Sequence, residues 1–179
     1  YPGIRSDSDM HTLGFAFAPW KNEKSIADGP SILEDLEDIA GEYGLKDRMR
    51  FGQKVVSADW DSATARWTVT TEANDGSHSR VQGRFLFLGS GYYDYDQPYA
   101  AEFSGKDSFK GTIIHPQFWP QDFDYTGKKI VVIGSGATAV TIVPAMALGG
   151  AAHVTMLQRT PTWMISRPAK DKLANGLRK

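Results

Sequence analysis

An α/β fold with an antiparallel β-meander set into it is what this 179-residue sequence predicts, and three observations predict it. Two short apolar runs, Phe85–Leu88 and Lys128–Ile133, each end in the same tripeptide, Gly-Ser-Gly, as strands buried on both faces and closed by a tight turn do. The second run is followed by an Ala/Val/Ile-rich helical pattern to about Leu148 and then by a third strand, His153–Leu157. That order, strand–helix–strand, is the parallel crossover unit. Between residues 48 and 88 lie segments rich in Val, Thr, Trp and Phe, with Asn74-Asp75-Gly76 as a hairpin signal between the last two.

Taken in order, Tyr1 to Trp20 shows neither helical nor strand periodicity. It mixes Pro, Gly, Ser and Asp with the exposed-looking aromatics Phe15, Phe17 and Trp20, and predicts a long packed loop of the kind that serves a site. A helix follows, with Pro30 ahead of a capping box made by Ser31 and Glu34. Ile32, Leu33, Leu36, Ile39, Ala40 and Tyr43 recur on one face, predicted to pack in a core, and Gly44 stands where a C-terminal cap is wanted. Arg48–Phe51, Lys54–Trp60, Arg66–Glu72 and His78–Leu88 are the predicted strands of the meander. From Tyr92 to Gly127 the chain is irregular, broken by Pro98, Pro116 and Pro120, and a helix-like stretch occupies Lys170–Lys179. The chain opens on Tyr1-Pro2-Gly3 with no initiating Met and stops inside that stretch, so it is expected to be a piece of something longer.

Composition narrows the class. Hydrophobic residues at 41% and charged residues at 23% describe a globular chain, which excludes disordered and collagenous scaffolds. Twenty Lys+Arg against 21 Asp+Glu leave a net charge of −1, so no global field draws the chain to nucleic acid or an anionic membrane. No apolar run approaches the roughly 18 residues of a membrane span, and no signal segment opens the chain. Zero Cys excludes disulfides, thiolate catalysis and thiolate metal sites, and fits a cytoplasmic protein. His115 has no second His, Cys or carboxylate at ligand spacing, so no metal is expected.

The two glycine turns are unequal. A Gly-x-Gly turn lets the backbone approach a pyrophosphate, and a helix starting there aims free N–H groups and its positive dipole end at the anion. After Gly134-Ser135-Gly136, residues Ala137, Thr138, Ala139 and Val140 continue helically; after Gly91 comes Tyr92-Tyr93-Asp94-Tyr95-Asp96, which does not. The second turn is the phosphate candidate, the alternative being a strand–turn–helix that only packs. The first reads as a close chain approach. At the end of the third strand an NAD site would place a carboxylate for the ribose 2′-OH. Gln158-Arg159-Thr160 stands there instead. A guanidinium would attract the 2′-phosphate of NADP, which favours NADP(H) over NAD(H); an ordinary solvated Arg is the plainer alternative.

The most specific segment is Phe109-Lys110-Gly111-Thr112-Ile113-Ile114-His115-Pro116-Gln117-Phe118-Trp119-Pro120. It resembles the F-x-G-x-x-x-H-x-x-x-W-P fingerprint of the Baeyer–Villiger flavoprotein monooxygenases at all five fixed positions, Phe109, Gly111, His115, Trp119 and Pro120. A random window matches with a chance on the order of one in ten million. Tyr1-Pro2-Gly3-Ile4-Arg5-Ser6-Asp7 is similar to the family's Y-P-G-x-R-x-D segment, and Gly134–Val140 with Gln158-Arg159-Thr160-Pro161 resembles its NADP-binding half. The wording of Tyr1–Leu13, Phe85–Leu88 and Ile130–Val143 is closest to the ethionamide-activating branch.

The resemblance implies a partial two-dinucleotide-binding-domain, Rossmann-like flavoprotein. Residues 1–95 would be the remainder of an FAD-binding domain with its meander, 96–127 the linker, and 128–179 the start of an NADP-binding domain. It implies FAD and NADPH as cofactors, with O2 captured as a flavin C4a-peroxide. That species would oxygenate a small-molecule ketone, or a sulfur or thioamide group. Asp7 would lie by the flavin and pair with an essential arginine; Arg5 and Ser6 would touch NADP with it, and Val55 would meet the FAD adenine. Read without the family, Asp7 is a turn former in a Ser-Asp-Ser-Asp run and Val55 an inward strand residue. His115 would tie the linker to domain movement or simply bond the backbone; Trp119 and Phe109 would anchor the linker by packing. Neither the FAD glycine loop nor the essential arginine is found in these residues, so the 179-residue chain is expected not to turn over alone. A flavin monooxygenase of the N- or S-oxygenating class and a non-catalytic NADP-binding module are the rival readings; Trp119-Pro120 argues against the first and Asp7 against the second.

Overall fold

The structure is a computed structural model that describes residues 1–99 and 101–177. Ala100 in the expected linker and Arg178 and Lys179 in the expected tail helix lie outside the described residues. In chain order the elements are α1 (Met10–Leu13), α2 (Gly29–Glu42), β1 (Gln53–Asp61), β2 (Arg66–Ala73), β3 (His78–Gly83), β4 (Lys129–Ile133), α3 (Ala137–Leu148), β5 (His153–Leu157) and α4 (Lys172–Leu177), with 3-10 turns at Lys46–Arg48, Lys106–Ser108 and Pro116–Phe118. The chain divides into two compact units, Tyr1–Ala40 with Pro98–Lys179, and Gly41–Gln97. Among the described residues no helix is long and apolar enough to cross a membrane.

The smaller unit is the expected meander, β1-β2-β3, antiparallel throughout. Its two turns are built from aspartates. Asp61 accepts from the Ala63 N–H and the Thr64 hydroxyl, and Asp75 accepts from the Ser77 N–H at 2.9 Å while Gly76 takes φ +79°. Across the β1–β2 pair Trp60 stands opposite Trp67 with ring centroids 5.5 Å apart, a cross-strand aromatic contact that fixes register. Two expectations fail here. Arg48–Phe51 is not a strand: Arg48 closes the 3-10 turn at Lys46–Arg48, and the segment leads into Gly52 at φ +65°. Phe85–Leu88 is not a buried strand either; β3 ends at Gly83, and Phe85 and Phe87 are each 93% exposed. Apolar side chains make a buried strand only where neighbouring strands complete the backbone ladder, and among the described residues none pairs with this run.

The larger unit holds the crossover. β4 and β5 run parallel, with Ile130 opposite Val154 and Val132 opposite Met156. α3 connects them and buries Ala139, Thr141, Ile142 and Met146. A second small core gathers Met10, Trp20 and Ala27, with Ile32 packed against it. Trp20 had the look of an exposed loop aromatic, yet it is 2% exposed and its indole N–H donates to the Lys24 carbonyl at 2.8 Å; Phe15 and Phe17 are exposed and stacked on each other. Hydrogen bonding explains the difference, because the buried indole finds a backbone acceptor within its own loop. The same core is laced by Ile4–Ser6, which bonds to Ala27 and Gly29.

α2 begins two residues before the capping box. Asp28 accepts from the Ser31 N–H at 3.1 Å and from the Ser31 hydroxyl at 2.7 Å, so Asp28 caps the helix and Pro30 falls in its first turn. The Ser31 hydroxyl, then the Ser31 N–H and the Lys24 ammonium, hold the Asp28 carboxyl well below the ordinary carboxylate range. The apolar face of α2 is divided: Ile39 is buried and Ile32 packs on the small core, whereas Leu33, Leu36 and, just past the end of the helix, Tyr43 are exposed.

Candidate functional site

β4 delivers the chain into Gly134, whose N–H donates to the Leu157 carbonyl at 2.8 Å and whose φ is +127°, in the range that L side chains rarely adopt. Gly136 caps α3 in an extended conformation, and the first intrahelical bond runs from the Val140 N–H to the Gly136 carbonyl at 3.0 Å. The N–H groups of Ala137, Thr138 and Ala139 therefore fall outside the helical ladder, at the positive end of the helix dipole. A Cβ added to Gly134 or Gly136 would meet no atom within 4 Å. The turn thus presents an open, donor-rich backbone surface of the kind that takes an anion. Of the residues expected to line it, Gly134, Ser135, Gly136, Ala137 and Thr138 form the turn and first helical residues, while Ala139 is buried and Val140 half-buried in packing.

The end of β5 is brought beside this turn. Gln158, Arg159 and Thr160 are exposed, and no carboxylate stands among them. The Ser135 hydroxyl donates to the Thr160 carbonyl at 2.9 Å and accepts from the Thr162 hydroxyl at 2.9 Å. Thr162 was not legible as a site residue. Its only sequence signal is a second hydroxyl two residues beyond Thr160, which acquires meaning once β4 and β5 pair.

The Tyr-Pro-Gly segment lies against the same helix. Gly3 has φ +77°, and a Cβ there would stand 2.7 Å from the Ala145 Cβ and 3.2 Å from the Thr141 carbonyl. Beyond it Arg5 is exposed and bridges to Asp28 through the backbone, and Ser6 is engaged with Ala27 on both its N–H and its hydroxyl. Asp7 is exposed. The carboxylate that faces a guanidinium here is Asp9, 3.8 Å from Arg167, which also caps α1 through the His11 N–H at 2.8 Å. Val55 is exposed on β1, opposite Thr71 and beside a bulge, in the other compact unit.

The fingerprint residues fold into a docked connector. His115 accepts the Gln117 N–H on Nδ1 at 3.3 Å and so caps the 3-10 turn Pro116–Phe118. Trp119 is half-buried and meets Phe123 and Tyr125 edge-on, with centroids 5.8 and 6.5 Å apart. Tyr125 in turn abuts Gly149 at the C-terminal end of α3, and the Gly127 N–H donates to the Gly150 carbonyl at 2.8 Å. Phe109 is exposed and folds its ring over Gly111, and Pro120 is exposed. One helix therefore carries the glycine turn at its start, the Tyr-Pro-Gly segment along its flank and the connector at its end.

Comparison with known proteins agrees with this architecture. The chain is 58% identical over its whole length to the FAD-containing monooxygenase EthA of Mycolicibacterium smegmatis and 50% identical to the probable FAD-binding monooxygenase AlmA of an Acinetobacter species. It spans 36% of the length of each. Among solved structures, an oxidised steroid monooxygenase bound to NADP superposes with a TM-score of 0.81 at 31% identity, over 99% of this chain and 34% of that one. A cyclohexanone-bound cyclohexanone monooxygenase superposes with a TM-score of 0.77 at 27% identity, over 99% of this chain and 34% of that one. The flavin-binding monooxygenase-like family pattern matches residues 22–175, from the loop that buries Trp20 to the last helix, and the chain belongs to that family.

Proposed function

We propose that this chain is a part of an FAD- and NADPH-dependent cytoplasmic monooxygenase that holds the linker and portions of both its FAD-binding and NADP(H)-binding domains. The reaction would insert one oxygen atom of O2 into a small ketone, in the Baeyer–Villiger manner, or oxidise a sulfur or thioamide group. Residues 1–95 would belong to the FAD-binding domain with its meander, 96–127 to the linker, and 128–179 to the start of the NADP-binding domain. The observation that carries the reading is the open Gly134-Ser135-Gly136 turn with Arg159 held beside it and no carboxylate at the end of β5.

The fit to NADP rests on that geometry. The N–H groups of Ala137 and Thr138 and the bare Gly134 and Gly136 would take the pyrophosphate, and the Arg159 guanidinium the 2′-phosphate, as a charge-assisted contact. For FAD the fit is narrower, since Gly89-Ser90-Gly91 opens no helix and the described residues form no second phosphate turn. Asp7 and Val55 are the residues assigned to it, with Asp7 also holding an arginine supplied by the remainder of the enzyme. When bound, NADPH supplies the hydride and FAD the oxygen-activating chemistry. The residues of this chain bind, orient and connect. Trp119, through Tyr125, braces the connector on the end of α3 and His115 caps the connector's own turn, so a nucleotide at the first turn of α3 would share one element with the linker.

Fluorescence titration of the chain with NADPH and with NADH tests the reading. NADPH is expected to bind tighter by roughly tenfold or more, the worth of one charge-assisted hydrogen bond. With FAD added, the chain alone is expected to consume no NADPH. A protein carrying this sequence together with the full FAD-binding domain is expected to consume NADPH and O2 in step with ester formation from a ketone or with oxide formation from a thioamide. Equal affinity for the two nucleotides would overturn the NADP assignment.

A further inference from the structure

Ser135 sits between the two glycines of the turn, where a hydroxyl could address a bound phosphate. Both of its hydrogen-bonding roles are already taken within the protein: it donates to Thr160 and accepts from Thr162, each at 2.9 Å. A third bond, from the Gly134 N–H to the Leu157 carbonyl at 2.8 Å, ties the same two segments one step earlier. The segment from Leu157 to Thr162 is therefore stapled to the turn at both ends, and Arg159 lies in the middle of the stapled stretch with its side chain exposed. Without the Thr162 bond the far staple would rest on the single Ser135–Thr160 contact, and the backbone carrying Arg159 would have more room to swing.

We propose that Thr162 is a positioning residue that sets the preference for a 2′-phosphorylated nucleotide. It acts through Ser135 to hold Arg159 over the place where the adenosine ribose lies. This inference rests on the reading of the glycine turn as an NADP site. Thr162 itself touches neither phosphate nor base. Its hydroxyl donates to Ser135, and the consequence is read at Arg159. The turn and α3 bind the part of the nucleotide common to NAD and NADP, so loss of the Thr162 bond acts on discrimination and leaves common affinity in place.

The test is calorimetric titration of the 179-residue chain with 2′,5′-ADP and with 5′-AMP, for wild type, Thr162→Val and Thr162→Ser. Thr162→Val keeps the shape and removes the donor; Thr162→Ser keeps the donor. Wild type is expected to prefer 2′,5′-ADP. In Thr162→Val that preference falls by a factor of roughly three to ten, the worth of one neutral hydrogen bond, with 5′-AMP affinity within twofold of wild type. Thr162→Ser restores it. A wild-type preference that persists unchanged in Thr162→Val overturns the role of Thr162 and leaves the NADP reading standing. Binding of neither ligand, or no preference in wild type, overturns the NADP reading and this inference with it. A Thr162→Val chain that loses both ligands equally, or a Thr162→Ser chain that behaves like Thr162→Val, assigns Thr162 to local folding and overturns the inference.

Discussion

The same tripeptide, Gly-Ser-Gly, occurs at residues 89–91 and 134–136, each time after an apolar run, and the two copies have opposite fates. After Ile133 the glycines turn a paired parallel strand into a 12-residue helix and leave a bare donor surface. After Leu88 they continue an exposed stretch that is in no strand among the described residues, leading into Tyr92 and Tyr93, whose ring centroids lie 4.6 Å apart. Glycine content and preceding apolarity are identical in kind. What differs is the partner strand that fixes the run and the helix-forming Ala-Thr-Ala-Val that follows. A glycine turn becomes an anion site through its neighbours, because the donors belong to the helix and the opening belongs to the strand pair.

That contrast can be broken by mutation. The largest effect is expected at Gly134. A Gly134→Val side chain would strain a backbone at φ +127° and project into the open face of the turn. NADP affinity should drop by roughly 30-fold or more, given about 1–3 kcal/mol of backbone strain in addition to the lost approach, whereas Gly89→Ala should leave it unchanged. Equilibrium titration checks both. Next comes Arg159→Ala, expected to lower the preference for NADPH over NADH by roughly tenfold with NADH affinity unaltered. Asp28→Ala should lower the thermal midpoint by about 2–4 °C through loss of the α2 cap while nucleotide affinity stays constant, as followed by circular dichroism. The smallest effect is expected at Phe87→Ser, below about 1 °C, since a side chain that is 93% exposed contributes almost nothing to packing.

Acid titration adds a sign. The Asp28 carboxyl is depressed in the folded chain, first by the Ser31 hydroxyl. Its contribution to stability is therefore complete above the ordinary carboxylate value and is lost as pH falls below it toward the depressed folded value. The wild-type chain should lose more stability than Asp28→Ala over that interval, and parallel acid unfolding curves would refute the capping role.

Much of the candidate site was legible because it is local. The order β4, glycines, α3, β5 is written within thirty or so residues, and Arg159 follows from counting to the end of the second strand. The fingerprint was legible as a pattern, while its docking was not: that Trp119 reaches Gly149 through Tyr125 depends on a contact made across the crossover unit. The misreadings share a cause. Ser31 and Glu34 form a good capping pattern, but Asp28, held by the Ile4–Ser6 segment pairing beside it, reaches the same N–H first. Phe85–Leu88 has the composition of a buried strand and, among the described residues, lacks a strand beside it. Trp20 looked like a loop aromatic until Met10, Ala27 and the Lys24 carbonyl closed around it. In each case the outcome was decided by groups outside the pattern that was read, and the pattern alone carries no information about them.

The most direct test of the central contrast is amide chemical-shift mapping of the isotopically labelled chain with NADP+. Perturbations are predicted at Gly134 through Thr138 and at Arg159 and Thr160, with Gly89, Ser90 and Gly91 unmoved. Shifts centred on Gly89–Gly91, or saturation with no change at Gly134–Thr138, would contradict the account.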